Sequence, residues 1–393
     1  MPHETSLIAT IAVGLAFALA FGFVAVRLRL PPVVGYLLAG VAVGPFTPGF
    51  VGDAQLAPQL AEIGVILLMF GVGMHFSLGD LLAARAVALP GALVQIAVAT
   101  ALGAGVAALW GWTLESGLVF GLALSVASTV VLLRALEAHG RLHSADGRIA
   151  VGWLIVEDLV MVLALVLLPA LAGPLEGSDG LWRALGLTLG KVALFAGLML
   201  VVGTRVFPWL LKRVESTGSR ELFTLAVVAL ALGVAFASAK LFGVSFALGA
   251  FFAGAVVNQS DLSHRAASDL QPLQDAFAVL FFVAVGMLFD PAILMRHPLQ
   301  LLAVVAIIVV GKSLAALAIV RALGRPWRTA LTVAAALAQI GEFSFILAAL
   351  GVGLGVLPPE GQSLIVAGAL LSITLNSLLF FAAGRWEPQA EIP

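Results

Sequence analysis

Long apolar runs separated by short polar breaks recur from one end of the chain to the other. Thirteen of them begin near Ser6, Pro32, Pro58, Ala86, Gly117, Ile149, Leu181, Glu221, Val244, Pro272, Leu299, Thr329 and Gln362, and the breaks are charged or rich in Pro and Gly. A helix of ~17–25 apolar residues crosses a hydrocarbon core of about 30 Å. The pattern therefore predicts an all-α polytopic membrane protein with about 13 transmembrane helices. An odd number puts the termini on opposite sides, and cytoplasmic loops carry the excess of Lys and Arg. The loops after the odd-numbered spans up to eleven, with the C-terminal tail, hold fourteen such residues from Arg27 to Arg385, including Arg29, Arg85 and Arg134. Those after spans six, eight and ten hold only Arg183, Lys240 and Arg296. The N-terminus is predicted outside and the C-terminus cytoplasmic, in a bacterial inner membrane.

The runs also repeat. Leu67–Phe76 reads LLMFGVGMHF and Leu280–Phe289 reads LFFVAVGMLF. The preceding spans, Val33–Pro45 and Val244–Asn258, are both Gly-rich and both carry an Ala-Gly step. If span three recurs as span ten, the offset is an odd number of spans and the second copy lies upside down. Inverted-topology repeats are a device of secondary transporters, which place the substrate near mid-membrane at interrupted helices. The expected organisation is one transmembrane transporter domain over 1–393, with repeat one at about 6–172, a linking helix at about 181–211 and repeat two at about 221–383.

The same offset pairs span five with span twelve. Span five carries Ser125-Val126-Ala127-Ser128-Thr129 and span twelve carries Gln339-Ile340-Gly341-Glu342-Phe343-Ser344. Both stretches are poor material for continuous helix, and both are predicted to unwind, giving two crossed broken helices whose half-helix ends face one another. Taken singly, each cluster also fits hydroxyls bonding back to their own helix.

Composition sharpens this picture. The chain is 62% hydrophobic and 10% charged, with net charge −1, against about 25% charged in soluble domains. No basic run points to a nucleic acid, and the absence of Cys from the sequence excludes disulfides, thiolate metal sites and Cys nucleophiles. No catalytic triad, P-loop or nucleophile elbow is present, so the chain reads as a non-enzyme without a resident cofactor. The N-terminus lacks the features of a cleaved signal peptide.

Against that apolar background the intramembrane charges stand out. Asp158 lies nine residues into the span from Ile149, about 13 Å deep at ~1.5 Å per residue, with Glu157 beside it. A charge near the midplane costs at least ~2.5 kcal/mol, so such residues mark ion pathways. Lys312, also near mid-span, is expected to pair with Asp158 when no cation is bound and to be displaced when one arrives. A carboxylate that takes either a cation or a proton couples the two by competition. Asp158 with Glu157 is thus the predicted cation and proton site, with Lys312 compensating charge and Ser125, Ser128, Thr129, Gln339 and Glu342 supporting it from the broken helices. Glu62, near the start of its span, is read as interfacial or structural, and Lys191 and Arg205 as structural. His75, His139, His143 and His264 show no metal-ligand spacing.

These residues resemble the monovalent cation:proton antiporter-2 family, in particular the membrane domain of its Kef-type potassium/proton antiporters. The matching stretches are GYLLAGVAVGP (Gly35–Pro45), LAEIGVILLMFGVGM (Leu60–Met74), ALSVASTVVLL (Ala123–Leu133), VEDL (Val156–Leu159), FALGAFFAGAVV (Phe246–Val257) and QIGEFSF (Gln339–Phe345). The resemblance implies a sodium/proton antiporter-like fold and a homodimer, with a dimerisation domain and a mobile core domain that moves like an elevator. It also implies that Asp158 is the essential carboxylate, that Lys312 is its partner and that Ser128 and Thr129 are the unwound segment. Where Kef-type relatives have Gln-Asp and electrogenic ones Asp-Asp, this chain has Glu157-Asp158, as in a Glu-Asp subgroup. Kef-type proteins usually continue into a cytoplasmic nucleotide-binding regulatory domain, which is absent from these 393 residues. The expected activity is exchange of K+, favoured over Na+, for H+. A gated cation channel and a non-transporting membrane sensor or scaffold are the competing readings.

Overall fold

The computed structural model describes residues 6–28, 30–53, 56–75, 78–142, 144–172 and 177–385. They form helices α1 (Ser6–Arg27), α2 (Pro32–Ala42), α3 (Leu56–His75), α4 (Leu78–Leu109), α5 (Leu114–Ser125), α6 (Thr129–Ala138), α7 (Ala145–Leu171) and α8 (Gly177–Leu198). After these come α9 (Thr204–Glu215), α10 (Arg220–Ala237), α11 (Phe246–Asn258), α12 (Ser263–Met287) and the short α13 (Ile293–Arg296). The last five are α14 (Pro298–Ala306), α15 (Lys312–Ala322), α16 (Trp327–Leu337), α17 (Glu342–Gly353) and α18 (Pro359–Arg385). Single π-helical turns continue α8 into α9 (Met199–Gly203), extend α10 (Ser238–Phe242) and join α14 to α15 (Ile307–Gly311). Among the described residues there is no strand, and each helix satisfies its own backbone hydrogen bonds in lipid.

Among the described residues eight helical stretches are long and apolar enough to cross a membrane, and a ninth is the pair α16 and α17, bent by 43°. Shorter apolar helices are α2, α5 and α11. Each of the thirteen predicted spans coincides with a helix or an interrupted pair. The starts differ most at α4 and α12, which begin well before Ala86 and Pro272, because the helices run on through polar turns that an apolar pattern treats as breaks. The outward faces of the long helices are greasy. In Gly186–Glu215 only 17% of the most apolar window is buried, and Leu194, Leu200 and Val201 point outward. The protein is an integral membrane protein.

The helices group into two compact units. One draws on Met1–Leu19, Tyr36–Ser77 and Val162–Met287, the other on Ala20–Gly35, Leu78–Met161 and Leu288–Pro393. Each unit mixes both halves of the chain. In the first, small residues bring repeat-related helices together. A Cβ on Gly40 of α2 would overlap the Val283 carbonyl oxygen of α12, and one on Gly286 of α12 would overlap the Leu37 carbonyl oxygen. Gly73 of α3 and Gly254 of α11 stand in the same relation to the carbonyls of Phe251 and Phe70. Gly40 and Gly254 are the glycines of the two Ala-Gly steps; Gly73 and Gly286 are those of the two Val-Gly-Met motifs. The glycine of each motif in one copy thus packs on the other copy, as close backbone approach in lipid demands.

Candidate functional site

The second unit holds the two interrupted helices. α5 stops at Ser125, extended backbone follows, and α6 starts at Thr129 with Ser128 as its N-cap. α16 stops at Leu337 and α17 resumes at Glu342. α5 packs along α17 and α6 along α16, and the two breaks touch. The Ser128 N–H donates to Gln339 Oε1 (2.9 Å), Gln339 Nε2 donates to the Ser128 carbonyl (3.3 Å), and the Ser128 hydroxyl donates to Glu342 Oε2 (2.9 Å). Any side chain at Gly341 would overlap the Ser128 Cβ.

Broken helices leave backbone donors and acceptors without partners, and charges sort onto them by sign. A peptide N–H and a hydroxyl around the α6 N-terminus meet carboxylates from α7. The Ala127 N–H donates to Glu157 Oε2 (2.8 Å), and the Thr129 hydroxyl donates to Asp158 Oδ2 (3.2 Å). Adjacent residues on α7 point ~100° apart, yet both reach the same break because its extended backbone spreads Ala127 and Thr129 apart. Carbonyls at the ends of α5 and α16 meet donors instead. Lys312 Nζ donates to the Gln339 carbonyl (2.8 Å), Asn376 Nδ2 to that of Ala335 (2.7 Å) and Gln95 Nε2 to that of Ser125 (3.0 Å). Anions at helix N-termini and cations at C-termini is the arrangement that the helix dipole favours.

All of this is out of solvent: Glu157, Lys312 and Gln339 are 0% exposed, Glu342 is 2% and Asp158 is 5%. The Lys312 charge acts on Glu157. Asp158 shares the crossover with two further carboxyls, Glu157 and Glu342. Lys312, which the sequence pairs with Asp158, is anchored here by the Gln339 carbonyl. Glu157 Oε1 and Asp158 Oδ1 are buried with no hydrogen-bond partner.

The comparisons with known proteins bear on the whole chain. A family model described as sodium/hydrogen exchanger, transmembrane, matches residues 12–386. The chain belongs to the sodium/hydrogen exchanger family. It is 63% identical over 395 residues to a protein of Escherichia coli (strain K12) named cation/proton antiporter YbaL, covering 100% of this chain and 71% of that one. It is 36% identical over 372 residues to K(+) efflux antiporter 4 of Arabidopsis thaliana, covering 93% of this chain and 61% of the plant protein. The structure of the sodium proton antiporter MjNhaP1 from Methanocaldococcus jannaschii at pH 8 superposes with a TM-score of 0.71 at 15% identity, over 96% of this chain and 98% of that one. The last likeness shows a shared fold. Together these place the chain among cation/proton antiporters, which are transporters rather than enzymes.

In this antiporter every residue singled out in the sequence for the site gathers at one crossover. Ser125 is the exception in detail, since its hydroxyl donates to Leu122 of its own helix (2.7 Å) and only its carbonyl joins the network. Sequence reasoning missed Gln95 and Trp153. The Trp153 indole N–H donates to Gln95 Oε1 (3.2 Å) and its side chain also reaches Glu157, four residues on along α7. A buried Gln in an otherwise apolar span was the available signal. It also missed the π-helical turn Ile307–Gly311, which ends immediately before Lys312; such turns re-aim the following side chains and recur at functional sites. Outside the crossover, Glu62 and Lys191 are exposed, and exposed Arg205 donates to the Val201 carbonyl of its own helix (2.5 Å). His143 and Arg29 lie outside the described residues, as do the side chains of His75, Arg85, Arg134 and Arg183.

Proposed function

We propose that this antiporter exchanges K+, in preference to Na+, for H+ by alternating access, with the cation and protons competing for Asp158 and Glu157 at the helix crossover. The carrying observation is the pair of buried carboxylate oxygens, Glu157 Oε1 and Asp158 Oδ1, that no protein group satisfies. Such an oxygen is costly to bury unless a proton or a cation sits on it. Charge count supports the same reading. Three buried carboxyls (Glu157, Asp158, Glu342) share the crossover with one ammonium, Lys312, so full ionisation leaves two negative charges for bound cations or protons to neutralise. Lys312 compensates charge in the empty state, while Ser125, Ser128, Thr129, Gln339 and Glu342 hold the broken ends in place. Neighbouring oxygens on Thr129 and Glu157 suit a desolvated alkali ion. The preference for K+ is drawn from the potassium named in the plant relatives.

The transporting unit of this reading is a homodimer in a bacterial inner membrane, with the N-terminus outside and the C-terminus in the cytoplasm. Within each chain, 6–172 and 221–383 are the inverted repeats and 181–211 links them. The test is proton flux in sealed proteoliposomes carrying a pH dye, with K+, Na+ and a non-transported cation added in turn to wild type and Asp158→Asn. Exchange driven by K+ above Na+ and lost in the variant is the expected result. Cation flux without proton movement would replace antiport with a channel, and no flux under any gradient would leave a sensor or scaffold.

A further inference from the structure

The break between α5 and α6 is tied to two buried residues that carry no charge, Gln95 of α4 and Trp153 of α7. A buried amide needs a partner for its donor and its acceptor alike. Gln95 Nε2 donates to the Ser125 carbonyl (3.0 Å), on the last residue of α5, and Gln95 Oε1 accepts the Trp153 indole N–H (3.2 Å). That N–H is the only polar group of the tryptophan side chain, and it also reaches the Glu157 carboxyl. Glu157 Oε2 in turn accepts the Ala127 N–H (2.8 Å). Ser125 and Ala127 flank Val126, so Ser125, Gln95, Trp153, Glu157 and Ala127 close a ring that starts and ends on one break. All five residues lie in the second unit.

Helical spacing prepares the ring. Gly91 and Gln95 are one turn apart on α4, as Trp153 and Glu157 are on α7, so each pair shares a face of its helix. A Cβ on Gly91 would overlap the Trp153 ring, and Val87, Ala88 and Ala92 belong to the same core cluster as Trp153. The indole is thus seated in a notch of small side chains that fixes where its N–H points. An apolar pair could fill this space without burying polar groups. The helix before the other break makes the same provision, since Lys312 at the start of α15 donates to the Gln339 carbonyl ahead of α17. Gln95 is its neutral counterpart. The ring holds Glu157 through Oε2 and leaves Oε1 buried without a hydrogen-bond partner. Groups that orient a ligating carboxylate from behind govern ion affinity nearly as strongly as the ligands do.

We infer that Gln95 and Trp153 are positioning residues for the transported cation, which hold the Glu157 carboxyl through this ring in the orientation that presents Oε1 to the ion. They act through Glu157 and through the backbone of the break. This rests on the reading of Glu157 and Asp158 as the exchange site and adds a supporting pair to it.

The experiment measures the apparent KM and kcat of K+-driven proton flux in sealed proteoliposomes for wild type, Trp153→Phe, Gln95→Leu, the double variant and Gly91→Ala. Trp153→Phe keeps a ring in the notch and removes the N–H. Each single variant should raise KM roughly tenfold with kcat little changed. Gly91→Ala, which displaces the indole without deleting a polar atom, should act in the same direction. Because both residues work through one carboxyl, the double variant should be no worse than the poorer single one. A pair that only packs would lower the melting temperature in detergent and leave KM alone. Unchanged KM, a fall in kcat at unchanged KM, or single effects that multiply in the double variant would overturn the inference. Where a variant carries no measurable flux, the K+ concentration that half-maximally raises its melting temperature replaces KM, and a wild-type midpoint there overturns the inference too. Asp158→Asn in the same vesicles keeps the two readings apart. Flux that survives in it defeats the crossover reading, whereas its loss beside a wild-type KM in Trp153→Phe defeats the positioning pair alone. If Na+ rather than K+ drives the wild-type flux, the same constants are read with Na+.

Discussion

In the first unit, helices from the two halves of the chain touch backbone to backbone through Gly40, Gly73, Gly254 and Gly286. In the second they touch through side chains, with Ser128, Gln339, Glu157 and Lys312 filling gaps left by broken helices. The first contact is close and apolar; it forgoes chemistry and gains shape. The second replaces helix hydrogen bonds, which cannot change, with side-chain bonds to titratable groups, which can. An inverted repeat therefore yields a scaffold where its helices are whole and a candidate ion site where they are interrupted.

Asp158→Asn breaks the comparison most sharply. It should remove cation-driven proton flux in proteoliposomes to background while leaving the purified protein monodisperse, because the asparagine keeps the Thr129 contact but neither titrates nor carries charge. Gly286→Leu should do the reverse. Its side chain must displace the α2 backbone at Leu37, and overpacking of this kind costs about 1–3 kcal/mol or more, read as a lower melting temperature in detergent and lower yield, with the KM of the surviving protein unchanged.

Gly341→Ala is the corresponding probe of the crossover. Its methyl overlaps Ser128, so exchange should fall with a smaller loss of melting temperature than Gly286→Leu shows; equal losses of both would mean that the crossover is structural only. Gln95→Leu comes next. It leaves the buried Ser125 carbonyl and the Trp153 N–H without their partner, a cost of about 1–3 kcal/mol, and should shift the pH profile of exchange through Trp153 and Glu157. Lys212→Ala should do least. Lys212 pairs with Asp261 at 2.8 Å, holding the Asp261 carboxyl below its usual range. A lowered carboxylate contributes only above its unfolded value and loses that contribution as pH falls, and exposed pairs contribute little. Melting temperature and exchange around neutral pH should match wild type.

The crossover was legible because the chemistry it needs is rare in its surroundings. Glu157, Asp158 and Lys312 are charges in apolar text, and the helix-breaking clusters at Ser125–Thr129 and Gln339–Ser344 announce themselves by composition. What anchors the lysine was not legible. α7 presents Glu157 and Asp158 to different parts of one break, and Lys312 is held by the Gln339 carbonyl, which no linear pattern reveals. Gln95 and Trp153 escaped because each looks ordinary alone, and they become a network only when α4 and α7 lie side by side.

The amino-acid order by itself determined that the chain crosses a membrane, that its halves repeat upside down, where its helices break and which charges lie deep, since each of these is a local balance between apolar surface and the cost of burying a charge. The tertiary structure alone decided which break meets which, that carboxylates sit on N-terminal helix ends while the lysine and amides sit on C-terminal ones, and that at the crossover two buried carboxylate oxygens, Glu157 Oε1 and Asp158 Oδ1, are left without a hydrogen-bond partner. Those outcomes depend on the direction and spacing of half-helices brought together from residues more than 200 positions apart, and the fields of their ends act only across that contact.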